Sequence, residues 1–422
     1  MKRLILALLL LNLLNVSSYA QGEGAMPVMT MQTSLPLIGA GGIGVAKPNN
    51  DPIGYYLNPA ILGYTSQNNH ASLFFMPNKV EWMPSWNLDL TRNTYGFNLG
   101  YNFSEFDIPI SIGFGYMHDR FDYGNFNQTG PDGPDIIGQY DSYDTFDTYS
   151  FGIGIDYYLL FNLGMSIKPF ESNLSSSPTE NESGYGKAEG TAFDYGAMII
   201  TPVSKLLFSD AKYEFCKTAY LKPNVNFTLG YALSNVGDEI IYFDEAQSDP
   251  LSRTGRLGYT FDFGFDVHIN NNEINLFTYS FTAEVKDILI QQKTEEGMFG
   301  GTFDGYQSFL GDIDAWDNLV LLNPSDKVVL HKGHTLSLFE TLTLTSGSLR
   351  GRGYPTSVGT SGYGLSSEGI LKIVSSTMDN TFVNYFAKHF VIEYYDVTMF
   401  EGYNRFDTDM QGISLHMNNI EL

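Results

Sequence analysis

Leu257-Gly258-Tyr259-Thr260-Phe261-Asp262-Phe263-Gly264-Phe265-Asp266-Val267-His268-Ile269 alternates a large apolar side chain with a small or polar one through thirteen positions. Successive side chains of a strand point to opposite faces, so a period of two is the strand period. The pattern recurs along the chain. Tyr95, Phe97, Leu99, Tyr101 and Phe103 alternate with Gly96, Asn98, Gly100 and Asn102. Tyr149, Phe151, Ile153, Ile155 and Tyr157 alternate with Ser150, Gly152, Gly154 and Asp156. Phe277, Tyr279, Phe281, Ala283 and Val285 alternate with Thr278, Ser280, Thr282 and Glu284. A soluble sandwich also alternates, but its strands run about 5–6 residues and its outer faces carry Lys and Glu. A bilayer-spanning strand needs about 9–11 residues, apolar outward and polar inward. Aromatics near the segment ends (Tyr95, Phe103, Tyr149, Tyr157, Tyr279) suit an interfacial girdle. The expected fold is all-β, a transmembrane antiparallel β-barrel. Closure removes the edges that so many long strands would otherwise expose.

Thirteen segments carry the pattern: 70–83, 86–103, 108–123, 145–158, 160–174, 186–201, 220–234, 254–270, 273–290, 333–346, 366–377, 384–400 and 411–422. A further strand is expected around 236–243 or 347–356. Bacterial barrels have even strand numbers, which makes fourteen the expected count over residues 70–422. The long polar connections 124–144, 171–185 and 291–326 are the expected outer loops, opposite short periplasmic turns.

Composition agrees. Of 422 residues only 17 % are charged and 15 % are aromatic, with 28 Tyr, 31 Phe and 43 Gly. Typical soluble domains are about 25 % charged. The balance of 23 Lys+Arg against 47 Asp+Glu gives a formal charge of −24. Nucleic acid is thereby excluded as a partner, since its binding draws on Lys and Arg against phosphate. The single cysteine, Cys216, excludes a disulfide framework and a Cys-based zinc site.

Met1-Lys2-Arg3, the leucine-rich run Leu4–Leu14 and Ser18-Tyr19-Ala20 form the three parts of a signal peptide over residues 1–20, cleaved near Ala20. No cysteine follows, so no lipid anchor is expected. Export of a barrel puts it in the outer membrane of a Gram-negative cell, among outer-membrane lipid and lipopolysaccharide. Residues 21–69 do not alternate and are rich in Gly, Pro and Asn. An N-terminal hatch in the barrel lumen is the expected use of such a segment. Inward glycines (Gly96, Gly100, Gly113, Gly115, Gly152, Gly154, Gly258, Gly264) leave room for a packed plug or a narrow passage.

Gly39-Ala40-Gly41-Gly42-Ile43-Gly44 fits the spacing of a dinucleotide-binding loop, but Lys47-Pro48-Asn49-Asn50-Asp51-Pro52 follows where a helix would have to open. That reading is rejected and no cofactor is expected. With Gly54-Tyr55-Tyr56-Leu57-Asn58-Pro59-Ala60-Ile61-Leu62-Gly63, the same stretch resembles the N-terminal signature of FadL-type outer-membrane barrels: a Gly/Ala-rich run, an aromatic stretch, then Asn-Pro-Ala before the first strand. Leu229–Gly237 and Ala283–Leu289 are similar to the branch of that superfamily containing the PorV and PorQ proteins of type IX secretion. The Gly-rich segment 347–369 is similar to their penultimate hairpin. The resemblance implies a fourteen-stranded barrel in which Asn58, Pro59 and Ala60 help seat the hatch, with Gly39, Gly41, Gly42 and Gly44 as hatch glycines. The terminal Ile413–Leu422 lacks the family's closing aromatic, and the hatch is shorter than in fatty-acid transporters, so no ligand-contact residue carries over.

Acidic groups at Asp132, Asp135, Asp141, Asp144 and Asp147, and at Asp312, Asp314 and Asp317, read as solvated outer loops, and no metal site is expected. Neither G-x-S-x-G nor H-E-x-x-H occurs, and the seven histidines show no ligand spacing beyond His331 and His334. No catalytic residue is expected. Two functions stand in order: passage of small, fatty-acid-like hydrophobic molecules across the outer membrane, as the FadL resemblance implies, and a PorV-like role in which exported proteins bind its outer loops. An outer-membrane lipase or deacylase ranks third, and would need a Ser and a His in contact on the barrel exterior, near the leaflet.

Overall fold

The computed structural model describes residues 24–420 except 87–88, 130–134, 176–185, 210, 217–218, 243–247, 270–271, 294–301, 378–379 and 403–405. The signal-peptide reading lies outside the described residues, as do most of 171–185 and part of 291–326. Fourteen strands form one closed ring: β1 His70–Phe75, β2 Thr91–Asn102, β3 Ile110–Thr129, β4 Ile136–Asp156, β5 Leu160–Ser175, β6 Gly186–Thr201, β7 Ala219–Val236, β8 Thr254–Ile269, β9 Asn272–Ile288, β10 Val329–Leu338, β11 Leu342–Gly351, β12 Tyr354–Ser366, β13 Phe390–Glu401 and β14 Thr408–Asn418. Every strand pairs antiparallel with its neighbours in sequence. The ring closes because β1 pairs with both β14 (Ser72 opposite His416) and β2 (Ser72 opposite Asn98).

The alternation divides wall from lumen as the period requires. On β4 and β5, Tyr149, Phe151, Leu163 (58 % exposed) and Met165 stand outward, while Thr148, Ser150, Asn162 and Ser166 are buried inward. No helix among the described residues is long and apolar enough to cross a membrane.

Fourteen is the expected number, reached partly with different strands. The segment 333–346 is two strands, β10 and β11, because Phe339 and Glu340 both take left-handed backbone (φ 55° and 52°) in the turn between them. Gly or Asn usually marks such a turn, and neither is present. Residues 366–377 are not a strand but the helix α3, Glu368–Thr377. It is followed by α4, Thr381–His389, whose N-cap Asn380 accepts from the backbone N–H of Phe382 and Val383. Short apolar runs read alike as strand or helix, which is how the two helices hid. The strand missing from that region is β12, whose Gly- and Ser-rich sequence offers little contrast between faces. The last strand ends at Asn418 rather than 422. β3 and β4 also run well into the 124–144 stretch. There, outward polar pairs such as Arg120–Asp122 and Tyr143–Glu171 replace the apolar belt, so strand continues where apolar alternation ends.

The two ends of the ring differ. Connections of two or three residues join β4–β5, β8–β9 and β10–β11 at the end that holds the start of β1 and the end of β14, where the longer 202–218 and 367–389 also join β6–β7 and β12–β13. At the opposite end β9 and β10 are joined by 289–328.

Candidate functional site

Residues 24–66 are packed against the inward face of the ring, with Ile43, Val45, Ile53, Tyr55, Tyr56, Asn58 and Ala60 wholly buried. Two short helices, α1 Leu35–Gly39 and α2 Ile61–Thr65, interrupt an otherwise irregular path. Irregular backbone in a dry interior leaves N–H and C=O groups that must find partners, and the wall supplies them.

Glu284, on β9, is the main acceptor. Its Oε1 receives the backbone N–H of Gly44 (2.8 Å), Val45 (2.6 Å) and Ala46 (3.2 Å), so one carboxylate oxygen satisfies three successive donors. Arg256, diagonal to it on the neighbouring β8, lies 3.9 Å from the other oxygen and donates to the carbonyls of Gly42 (3.3 Å) and Thr30 (3.1 Å). His331 Nδ1 meets Gly41 O at 2.7 Å and Thr360 donates to Gly39 O at 2.9 Å. Gly39, Gly41, Gly42 and Gly44 are therefore each engaged through the backbone by a side chain of the wall. Gly41 has a φ of +93°, and a Cβ there would press on Lys332 O. A side chain fits neither its backbone nor its space.

Asn58 donates to Val45 O (2.6 Å) and to Ala197 O of β6 (3.3 Å), while its Oδ1 accepts from Ala60 N–H (3.1 Å). It thus ties together two parts of the segment and the wall. Pro59 lies over Gly164 and Asn58 over Gly196, where a Cβ on either strand glycine would collide with them. Gly96, Gly113, Gly115 and Gly152 likewise face Ile53, Ser66, Tyr55 and Leu62. Gly258 and Gly264 do not: the space beside them is taken by Glu284 and Thr278 of the next strand.

Around this contact the lumen holds buried ion pairs. Arg92 clamps Asp119 with two nitrogens (3.1 and 2.8 Å) and gives a third bond to Gln32 O. Lys168 meets Asp194 at 2.6 Å and sits over the Tyr56 ring; Lys47 meets Asp262 at 2.9 Å. Asp51 caps Ile53 N–H through Oδ1 (2.9 Å), and its Oδ2 is buried without a partner. Burial pushes its carboxyl up to about 7; the Glu393 carboxylate adds to the rise and the His416 ring opposes it. The contact sought for a lipase does occur, between Ser72 and His416 (2.9 Å), with Glu393 3.2 Å beyond, but on the inward face rather than the exterior.

Sequence reasoning picked out Asn58, Pro59 and Ala60 and the glycines but missed Glu284, Arg256, His331 and Arg92. The available signal was a full charge on a strand face otherwise made of Ser, Thr and Gly, as in Ser280, Thr282, Glu284.

Two cavities of about 100 Å³ each lie between the segment and the wall: a polar one beside Thr65, His70, Ser72, Glu393 and His416, and a more apolar one at the opposite end, which carries 289–328. The apolar one is lined by Met31, Ile38, Ile288, Val329, Leu349 and Phe400, with Arg256, Lys286 and His331 on its polar side. Arg256 Nε and His331 Nε2 are buried there without a partner. Among the described residues no group of His, Cys, Asp and Glu could hold a metal ion.

No family model and no curated protein matches the chain. Among solved structures it is similar to the Pseudomonas putida toluene transporter TodX, at 11 % identity and a TM-score of 0.40, covering 92 % of this chain and 98 % of that one. It is also similar to the Ralstonia pickettii toluene transporter TbuX, at 11 % identity and a TM-score of 0.39, covering 92 % and 97 %. A Pseudomonas aeruginosa FadL homologue matches at 9 % identity and a TM-score of 0.35, again over 92 % and 97 %. Likeness at this level carries no argument for what the lumen binds.

Proposed function

We propose that the chain is an outer-membrane barrel that passes small hydrophobic molecules, with residues 21–69 as a lumenal hatch and the apolar cavity beside the hatch as the ligand's resting place. The observation that carries this reading is the cavity itself. It is largely apolar, it lies between hatch and wall rather than within either, and it sits at the end that carries 289–328. An engineered apolar cavity of about 150 Å³ holds benzene, so a void of about 100 Å³ is of the order a single-ring or short-chain molecule needs. Support for the membrane comes from the exposed outer face, where Leu163, Phe151, Tyr149 and Leu229 have no protein to cover them. On this reading Asn58, Pro59 and Ala60 seat the hatch, Gly39, Gly41, Gly42 and Gly44 let its backbone lie against the wall, and residues 1–20 direct export.

The test is native mass spectrometry of the protein extracted gently from its own membrane, beside a Leu349→Trp variant that fills the cavity. A small hydrophobic molecule retained by the parent and lost from the variant is the expected result. Retention that ignores the substitution removes the cavity's role. Stoichiometric exported proteins without such a molecule would move the assignment to the PorV-like reading.

A further inference from the structure

The connection between β9 and β10 does not simply rise from the ring. From Gln307 to Val328 it folds back over the outside of the wall. Leu319 and Val328 pack into a cluster with Leu257, Tyr259, Phe281, Val285 and Leu330, the outward side chains of β8, β9 and β10. The attachment is specific: Gln307 N–H bonds Leu289 O (2.9 Å), Tyr231 OH bonds Phe309 O (2.7 Å), and outward Asp287 accepts from Asp312 N–H (2.7 Å) and from Arg352 (3.3 Å).

The strap has a second face. In the short helical turn Ala315–Val320, Leu319 points to the wall and is buried, whereas Trp316 (67 % exposed) and Val320, four residues apart, share the opposite side. Leu321, next in the chain, is exposed as well. The layer beneath is the outer wall, so these side chains point away from the barrel. The strap also adjoins bare wall. On β8, Leu257 and Tyr259 lie under it, while Phe261 and Phe263 further along the same face are exposed.

A non-strand segment beside lipid must satisfy its own polar groups, and this one does. Asp314 Oδ1 accepts from Trp316 N–H and Asp317 N–H, and Asn318 Oδ1 accepts from Asp314 N–H. Asn318 donates to Asn323 O and Asn323 to Asp317, while Lys327 pairs with Asp312 at 3.1 Å. Within Ala315–Val320 the uncovered side chains are apolar, with one amphipathic indole among them, the side chain that settles at headgroup depth; the exposed Asp312 and Asp314 carboxylates just before the turn belong on its headgroup side.

Resting on the reading that the barrel spans a membrane, we infer that residues 309–321 form an interfacial lipid anchor whose Trp316, Val320 and Leu321 sit at the boundary of headgroups and acyl chains. The strap then continues the wall's lipid-facing surface instead of standing in water as an outer loop.

Three tryptophans, Trp82, Trp86 and Trp316, make the test direct. A Trp82→Phe, Trp86→Phe variant leaves Trp316 as the only reporter. It is reconstituted in phosphatidylcholine vesicles whose acyl chains are brominated close to the headgroup. A control carries the further changes Trp316→Phe and Leu163→Trp, placing the reporter on the bare wall. Heat-modifiable gel mobility shows that both are folded. The expected result is loss of about half of Trp316 emission in the brominated vesicles, as for an interfacial indole, with little quenching by aqueous iodide. Quenching of the wall reporter but not of Trp316, with Trp316 open to iodide, overturns the anchor and leaves the barrel's membrane placement standing. Failure of both reporters to respond overturns the membrane reading, and the anchor with it.

Discussion

Removing the Glu284 carboxylate should detach the middle of the N-terminal segment while leaving the barrel closed. In Glu284→Ala the backbone N–H groups of Gly44, Val45 and Ala46 lose their common acceptor, and Arg256 loses the charge 3.9 Å away. Each orphaned buried donor costs about 1–3 kcal/mol, and stripping one partner from a buried charge pair costs about 3–5 kcal/mol. These overlap, because the segment can shift and admit water once released, so about 3–5 kcal/mol is the expected loss of local stability. At 1.4 kcal/mol per tenfold change, local opening rises by about a hundredfold or more. Glu284→Gln keeps one acceptor oxygen but no charge, and should lose about half as much. The assay is hydrogen exchange of the Gly44–Ala46 amides in the folded barrel, read by mass spectrometry, with leak of a small solute from loaded vesicles alongside. The wall pairing of β8 with β9 does not involve the carboxylate, so exchange of its amides should stay slow. Unchanged protection of Gly44–Ala46 in Glu284→Ala would refute the reasoning.

Replacing Asn58-Pro59-Ala60 with Gly-Ser-Gly removes the bonds to Val45 O and Ala197 O and should raise passive leak through a correctly inserted barrel; unchanged leak would end that motif's role. Gly196→Val puts a side chain where Asn58 lies, and should cost about 1–3 kcal/mol with loss of protection around residue 58 in exchange experiments. Asp51 binds its proton more tightly in the folded protein (about 7 against 3.8), so its contribution to stability is full below 3.8, falls as pH rises to about 7, and stays low above that. Asp51→Asn should flatten that fall, worth about 4 kcal/mol for about three pH units, and should make the segment better protected than in the parent at pH 8, as measured by urea titration of segment exchange.

The wall was legible in sequence because one face of each strand meets apolar surroundings and the other a polar lumen, so period two is written into β2 to β9 almost without interruption. Legibility failed where that contrast fades. β12 has Gly and Ser on both faces, and the β10–β11 turn is made by Phe339 and Glu340 without a turn residue. α3 and α4 carry apolar residues at helical spacing over runs too short to separate from a strand. Asn58 and the glycines stood out because their residue types suit sharp backbone approaches. Glu284 could be singled out only as a charge on a polar face, because its partners are backbone groups 240 residues away in sequence. Backbone donors leave no trace in residue identity, so no pattern search pairs them with their acceptor.

Under the proposed function, the distribution of these bonds also argues which part of the segment moves when a molecule passes. Residues 44–66 are held by Glu284, by Asn58 against Ala197, by Ser111 donating to Gly63 O at 2.7 Å, and by the glycine-lined wall of β2 to β6. Uprooting them would orphan several buried polar groups at once. Residues 26–38 meet the ring differently. Their described backbone N–H bonds stay within the segment (Met29 to Met26 O, Met31 to Val28 O, Ile38 to Ser34 O), while the wall reaches them through side chains, Arg92 on Gln32 O, Arg256 on Thr30 O and, at 3.4 Å, Asn235 on Met29 O, which Tyr56 OH also holds. Long guanidinium side chains can follow a displaced carbonyl by several ångströms; a strand backbone cannot. The apolar cavity borders this second stretch, at Pro27, Thr30, Met31, Gln32 and Ile38. Enlargement of the cavity by movement of residues 26–38, with 44–66 fixed, is therefore the least costly route through the lumen. A disulfide-free test follows: exchange of the Met29, Met31 and Ile38 amides should run faster than that of Gly44–Ala46 in the parent protein, and equal rates would mean the segment opens as one body.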